Sequence, residues 1–123
     1  MKILVVDDER DVQALFEQRF RKEIRLGEMK FIFAFSGEDA LAYLYEHEHE
    51  AVLILSDINM PGMSGLDLQK WLIEEGHRIP VIFLTGFPDE NVRSRALKAG
   101  ALAFLSKPLD HRDLVDHLEK TLK

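Results

Sequence analysis

The sequence predicts an α/β protein built on a single doubly wound, five-stranded parallel sheet flanked by five helices. Short runs of β-branched and other apolar residues alternate with longer segments in which apolar residues recur every three or four positions. The short runs are almost continuously apolar, as expected for parallel strands that helices cover on both faces. No linker or repeat interrupts the alternation, so we expect the 123 residues to form one domain, 1–123.

The first half of the chain supplies two strands and two helices. Ile3–Val6 is the first predicted strand, and Met29–Phe35 is the second. Between them, residues 12–24 predict an amphipathic helix whose buried face includes Val12, Leu15, Phe16, Phe20 and Ile24. Ser36 is the predicted N-cap of the second helix. The buried face of that helix is predicted to consist of Ala40, Leu41, Leu44 and Tyr45.

The second half of the chain continues the alternation. Its three predicted strands are Ala51–Leu55, Val81–Leu84 and Ala101–Leu105. Gly62 and Gly65 let the backbone that enters the third helix pass close to the end of the third strand. The apolar positions of that helix are Leu66, Leu68, Trp71, Leu72 and Ile73. Asp89 and Asp110 are N-cap candidates for the last two helices, and Gly100 is a C-cap glycine. The apolar face of the last helix is predicted to be Leu114, Val115, Leu118 and Leu122.

Polar side chains follow four of the predicted strands at their carboxyl ends. Asp7 and Asp8 follow the first strand, Asp57 the third, Thr85 the fourth and Lys107 the fifth. These ends share one edge of an open parallel sheet, where ligands bind. Because neighbouring carboxylates repel, they favour a cation, and a site with only oxygen donors suits Mg²⁺. A carboxylate nucleophile, Mg²⁺ and a lysine are what the formation of an aspartyl phosphate requires.

The motifs Asp7-Asp8, Asp57-x-Asn59-Met60-Pro61-Gly62, Thr85 and Lys107-Pro108, in this order along the chain, resemble the receiver domain of bacterial two-component response regulators. The resemblance implies a flavodoxin-like sheet with strand order 2-1-3-4-5 and a cis Lys107–Pro108 bond. It also implies that Asp57 accepts a phosphoryl group from a sensor histidine kinase or phosphotransfer protein, with Lys107 pairing to that group. The implied ligands of Mg²⁺ are Asp8, Asp7 through water, Asp57 and the main-chain carbonyl of Asn59.

The resemblance further implies a phosphorylation-dependent switch. Thr85 and Phe104 would move inward with the phosphoryl group and repack the face formed by the fourth helix, fifth strand and fifth helix. That face would control an output domain or a partner protein. A homodimer through it is a further expectation, because one helix is basic and the other acidic. The charged residues concerned are Arg93, Arg95, Lys98, Asp110, Asp113, Asp116 and Glu119. The segment Arg21–Lys30 departs from the family in being longer than its usual connection.

Composition and motif spacing limit the other functions that the chain could have. A net charge of −6 argues against direct binding to nucleic acid or to an anionic membrane. The absence of cysteine and of a signal peptide at the start leads us to expect a cytoplasmic location. A phosphatase of the haloacid dehalogenase kind would need a second acid where Asn59 stands, so we do not expect an enzyme. The alternative is a phosphorylation-independent, receiver-like interaction module.

Overall fold

The computed structural model describes residues 1–47, 53–108 and 111–122, which form five strands and six helices. The strands are β1 (Lys2–Val6), β2 (Lys30–Ala34), β3 (Leu53–Ser56), β4 (Val81–Thr85) and β5 (Ala103–Ser106). The helices are α1 (Asp11–Arg19), α2 (Arg21–Arg25), α3 (Gly37–Glu46), α4 (Gly65–Glu74), α5 (Glu90–Lys98) and α6 (His111–Leu122). Among the residues so described, no helix combines the length and the apolar character needed to cross a membrane.

The strands form one parallel sheet in the order β2-β1-β3-β4-β5, which confirms the expected topology. The register pairs Val6 at the end of β1 with both Ala34 and Ser56, the last residues of the two neighbouring strands. On the other side of the sheet, Thr85 at the end of β4 pairs with Ser106 at the end of β5. Ser56 pairs with Phe83, so β4 and β5 extend two residues beyond the other three strands. The residues that follow the strands still meet at one edge.

The sheet separates two buried clusters of apolar side chains, as the alternation of a strand requires. Along β1, Leu4 and Val6 point into one cluster, which is completed mainly by α3, α4 and α5. Ile3 and Val5 point into the other cluster, against α1 and α6. All described residues of the central strands β3 and β4 are buried, so their continuous apolar runs were correctly interpreted.

The first predicted helix is two helices, which corrects the expected number of five. The break lies at Phe20, whose φ of −109° and ψ of 25° are not helical. Its ring is fully buried, with ring centroids 5.8 Å from Phe16 and 5.3 Å from Phe31. The single helical period predicted over 12–24 is therefore interrupted at Phe20. Leu15 and Ile24, predicted to be buried, are 53% and 37% exposed.

Two other predicted core residues also face solvent, because each helix buries only one narrow stripe. Leu44 and Leu72 fill the stripes of α3 and α4, so their neighbours Tyr45 and Ile73 point away from the sheet and are 84% and 54% exposed. In α5, Ala99 is the C-cap and is exposed.

The predicted helix caps in the described part of the chain are present. The Ser36 hydroxyl accepts a hydrogen bond from the Asp39 N–H, and the Asp89 carboxylate accepts from the first turn of α5. Gly100 follows α5 with a φ of 106°, a conformation that favours glycine. Leu114 is buried in the second cluster. The predicted cap at Asp110 and the packing of Leu118 and Leu122 lie outside what the structure describes.

The burial of Phe20 predicts that substitutions at Phe20 and Leu15 differ in their effect on stability, although the sequence pattern treats both positions as buried. Phe20→Ala should lower the free energy of unfolding by about 3–5 kcal/mol, because it empties a buried ring site. Leu15→Ala should cost less than about 1 kcal/mol, because that side chain is half exposed. Urea denaturation of both variants measures the difference. Equal losses would contradict the break at Phe20.

Candidate functional site

Three carboxylates meet at the carboxyl edge of the sheet. Asp7 directly follows β1 and Asp57 directly follows β3, and both side chains are buried, whereas Asp8 is exposed. One oxygen from each of the three lies within 4.8 Å of the others. The Asp7 N–H donates to the Ala34 carbonyl at 3.0 Å and the Asp57 N–H to the Val6 carbonyl at 2.8 Å. The pairing of the strands thus continues into the site and fixes both acids.

The Lys107 ammonium group lies between the two buried carboxylates. It donates to Asp7 Oδ2 at 2.7 Å and approaches Asp57 Oδ2 at 3.4 Å. The Lys107 N–H donates to the Thr85 carbonyl at 2.8 Å, so the end of β4 positions the loop that carries the lysine. The Lys107–Pro108 bond is cis, as expected. The pairing with Asp7 was not foreseen, because the sequence suggested only a phosphoryl partner for this lysine.

The second oxygen of each buried acid is held by the backbone. Asp7 Oδ1 accepts a hydrogen bond from the Glu9 N–H at 3.0 Å, and Asp57 Oδ1 accepts one from the Ile58 N–H at 2.7 Å. Asp7 is therefore engaged closely at both oxygens. Among the described residues, the one contact of Asp57 Oδ2 is the longer one to Lys107, which leaves it the more available oxygen.

Burial and neighbouring charge shift the pKa values of Asp57 and Lys107, which face each other in the site. Burial is the largest cause that raises the pKa of Asp57 above 3.8, and the negative charge of Asp7 adds to it. Lys107 and the Ile58 N–H offset part of this increase in the pKa of Asp57. Burial lowers the pKa of Lys107, but the hydrogen bond and charge of Asp7, with the charge of Asp57, outweigh it and raise that pKa above 10.5.

The acid cluster has the chemistry of a site for a hard divalent cation. Its donors are all carboxylate oxygens, and neither sulfur nor imidazole belongs to the cluster. The predicted main-chain ligand, Asn59, lies two residues beyond Asp57 and is exposed. The residues present therefore fit Mg²⁺ better than a softer transition metal.

Gly65 is required by a close approach of the backbone to Asp57. The Gly65 N–H donates to the Ile58 carbonyl at 2.8 Å, and a Cβ built on Gly65 would overlap the Asp57 carbonyl oxygen. Ser64 caps the helix that starts here in a full capping box with Asp67. The Glu38 carboxylate also accepts a hydrogen bond from the Met63 N–H at 3.1 Å. These contacts fix the Asp57 loop, and sequence patterns missed the roles of Ser64 and Glu38.

The two predicted switch residues lie on neighbouring strands beside the acids. Thr85 is buried, and its hydroxyl accepts a hydrogen bond from the Phe87 N–H at 3.2 Å. Phe104 is half-buried on the face of the sheet that carries Phe83, with ring centroids 6.4 Å apart. Thr85 pairs with Ser106 at the carboxyl ends of β4 and β5, and Phe104 lies on β5 two residues before Ser106.

A parallel sheet in this order, with an acid cluster and a lysine at its carboxyl edge, defines a receiver-type α/β domain. Residues 3–119 match the family described as the response regulator receiver domain, and the chain belongs to that family. The sequence and the fold therefore lead to the same assignment.

Curated relatives carry this domain as part of longer proteins. The transcriptional regulatory protein CpxR of Klebsiella pneumoniae is 35% identical over 122 residues, covering 99% of this chain and 49% of CpxR. The transcriptional regulatory protein TdiR of Thauera aromatica is 33% identical over 123 residues, covering 98% of this chain and 50% of TdiR. The response regulator protein TmoT of Ectopseudomonas mendocina is 43% identical over 70 residues, covering 57% of this chain and 32% of TmoT. The chain spans from about a third to about half of these relatives.

Solved structures agree with the assignment. A response regulator receiver domain protein from Clostridium thermocellum superposes with a TM-score of 0.87 at 26% identity, covering 98% of this chain and 93% of that one. The structure titled FixJ-N superposes with a TM-score of 0.79 at 27% identity, covering 98% and 91%.

The raised pKa of Asp57 predicts that Asp57→Asn stabilises the metal-free protein at neutral pH. Above its folded pKa, the ionised carboxylate costs folding free energy that the amide does not. This gain in stability should shrink as the pH falls through the pKa that Asp57 has in the folded protein. Below 3.8 the folded and the unfolded states both bind the proton, so the gain disappears. Thermal unfolding with a chelator over a pH series measures it.

Asp67→Asn is the matched control, and it should change the stability of the fold in the opposite direction. The backbone and side-chain hydrogen bonds from Ser64 lower the pKa of Asp67 below 3.8, so its ionised form stabilises the fold. This variant should lower the melting temperature at neutral pH, with the loss fading as the pH falls through the lowered pKa. A lower melting temperature for Asp57→Asn at neutral pH would contradict the electrostatic account.

Proposed function

We propose that this domain is the phosphoacceptor of a two-component phosphorelay. Asp57 accepts a phosphoryl group from the phosphohistidine of a sensor histidine kinase or a phosphotransfer protein. The P–N bond of the donor breaks as a P–O bond to Asp57 forms, and the imidazole keeps the electron pair. The observation that carries this proposal is the available Oδ2 of Asp57, which lies beside Lys107 and within one cluster with Asp7 and Asp8.

Asp57 is the best nucleophile of the three acids because of its contacts. Lys107 holds Asp7 Oδ2 at 2.7 Å, and the Glu9 N–H holds the other oxygen, so both of its oxygens are engaged. Asp8 is exposed, and a hydrated carboxylate is less easily oriented. Asp57 is buried and oriented by the Ile58 N–H. An ionised carboxylate needs no general base to attack.

Asp7, Asp8, Asp57 and the main-chain carbonyl of Asn59 would hold Mg²⁺. When bound, the cation supplies positive charge near the three carboxylates and the transferred phosphoryl oxygens. Lys107 supplies the second positive charge, and its ammonium group pairs with a phosphoryl oxygen beside Asp57. The proposed chemistry is one phosphoryl transfer to the domain itself and slow hydrolysis from it, without turnover of an external substrate.

Thr85 and Phe104 would change position when Asp57 is phosphorylated, and this movement would alter the protein surface. Among the residues that the structure describes, the Thr85 hydroxyl has one hydrogen bond, at 3.2 Å from the Phe87 N–H, so little opposes its turning toward a phosphoryl oxygen. Phe104 is half-buried, and a change in its position would alter the edge of the sheet between α5 and α6. This edge, the α5–β5–α6 face, would then favour a different contact with an output domain or a partner.

Exposed charges on the α5–β5–α6 face support a role in protein contacts. Arg93, Arg95 and Lys98 of α5 and Asp113 and Asp116 of α6 are exposed, which allows reciprocal contacts between two copies. We extend the proposal to a phosphorylation-dependent homodimer through this face. The other acids of the expected set, Asp110 and Glu119, lie outside the described side chains.

The output of the switch would lie outside this domain. Two of the relatives are named transcriptional regulatory proteins, and this chain spans about half of each. The net charge of −6 does not suit direct contact with DNA, so we assign any such contact to another domain or partner. We propose a cytoplasmic location.

Intact mass spectrometry after incubation with acetyl phosphate and Mg²⁺ tests the phosphoacceptor. The protein should gain one phosphoryl group, and neither the chelator-treated protein nor Asp57→Asn should gain any. Asp116→Asn is the matched control, because it removes an exposed acid far along the chain and should be phosphorylated normally. If the folded protein gains no phosphoryl group, the interaction-module alternative replaces this proposal.

A further inference from the structure

A second candidate binding site lies along the edge strand β2, outside the acid cluster. A cavity of about 720 Å³ opens between the end of α1, the short helix α2 and the edge strand β2, and we call it the α2 cavity. Lys30 on its rim pairs in register with Lys2, at the amino end of β1, whereas Asp7 follows the carboxyl end. At about 3.3 Å per residue, Lys30 lies about 16 Å along the sheet from Asp7, whereas Phe33 on the same wall pairs with Val5, two residues before Asp7. None of the residues that line the α2 cavity belongs to the acid cluster.

The inner wall of the α2 cavity is aromatic. Phe31 and Phe33 line it from the sheet, are half-buried and lie with ring centroids 6.3 Å apart. Phe16 packs against both rings, at 5.4 Å and 6.3 Å, and supports the wall. Ile24, partly exposed, lines the cavity from α2. Ordered rings that remain partly open to solvent offer an apolar ligand area to bury at little cost in side-chain entropy.

The rim of the α2 cavity is cationic. Arg21, Arg25 and Lys30 line it and are exposed, and their side chains have no hydrogen bond or ion pair with any residue that the structure describes. The single acid of the lining, Glu17, accepts a hydrogen bond from Gln13 at 3.0 Å. Three such cations beside one another contrast with the net charge of −6 for the chain. This arrangement favours an anion at the mouth of the cavity.

We propose that the α2 cavity binds a small organic carboxylate with an apolar body. The volume lies in the usual range of about 300–1,000 Å³ for small-molecule sites. Phe31, Phe33 and Ile24 would cover the aliphatic or aromatic body. Arg21 and Arg25 stand four residues apart, on one side of a helix, and would hold the carboxylate with charge-assisted hydrogen bonds. An inorganic anion would leave the aromatic wall uncovered, and a neutral ligand would leave the cations unused.

An NMR titration of the ¹⁵N-labelled protein with octanoate tests the proposal. Saturable shifts should appear at the amides of residues 24–33 and leave the Asp57 loop unchanged. The double variant Arg21→Gln/Arg25→Gln should bind octanoate about tenfold more weakly or worse, because it removes the charged donors. Both arginines are exposed, so the variant should keep the native spectrum elsewhere.

The controls separate charge from apolar contact. Octanol, which has the same chain length without the charge, should bind more weakly than octanoate. The double variant Lys70→Gln/Arg78→Gln removes two exposed cations that do not line the α2 cavity and should bind octanoate as the native protein does. The proposal is overturned by the absence of saturable shifts, by equal affinity for octanol, or by undiminished binding in Arg21→Gln/Arg25→Gln. None of these results depends on phosphorylation of Asp57.

Discussion

The ammonium group of Lys107 lies 2.7 Å from Asp7 and 3.4 Å from Asp57, and the site depends on this contact. Three carboxylates meet at one edge of the sheet, two of them buried, and burial together with the negative charge of Asp7 disfavours the ionised form of Asp57. The lysine can offset one of three negative charges. The two that remain equal the charge of one divalent cation, and this balance links the proposed metal site to Asp57, the proposed nucleophile.

The fold was largely predictable because burial dominates the pattern of this sequence. The central strands are covered on both faces, so their residues form uninterrupted apolar runs that a surface strand would not show. The errors came where a residue's surroundings are set by the tertiary structure. Phe20 is one apolar residue in a helical pattern, and nothing in that pattern marks the non-helical backbone at which α1 ends.

The meeting of the site residues at one edge was predictable, but their contacts were not. The carboxyl ends of parallel strands bring Asp7, Asp57 and Lys107 to one edge, and this follows from the order of the elements. The ion pair between Asp7 and Lys107 joins residues 100 positions apart. Its geometry depends on how the loops after β1 and β5 turn, and local sequence patterns do not encode that. The α2 cavity has the same origin, because it forms only where α2 folds beside β2.

Paramagnetic broadening by Mn²⁺ tests the central claim that the excess charge at this edge forms a cation site around the nucleophile. Mn²⁺ accepts the same oxygen ligands as Mg²⁺ and broadens the NMR signals of nearby residues. At low Mn²⁺ the account predicts selective loss of the amide signals of residues 7–9 and 57–59, reversed by excess Mg²⁺ and absent in Asp8→Asn. Broadening that centres on the exposed acids of α6, or that persists unchanged in Asp8→Asn, would contradict it.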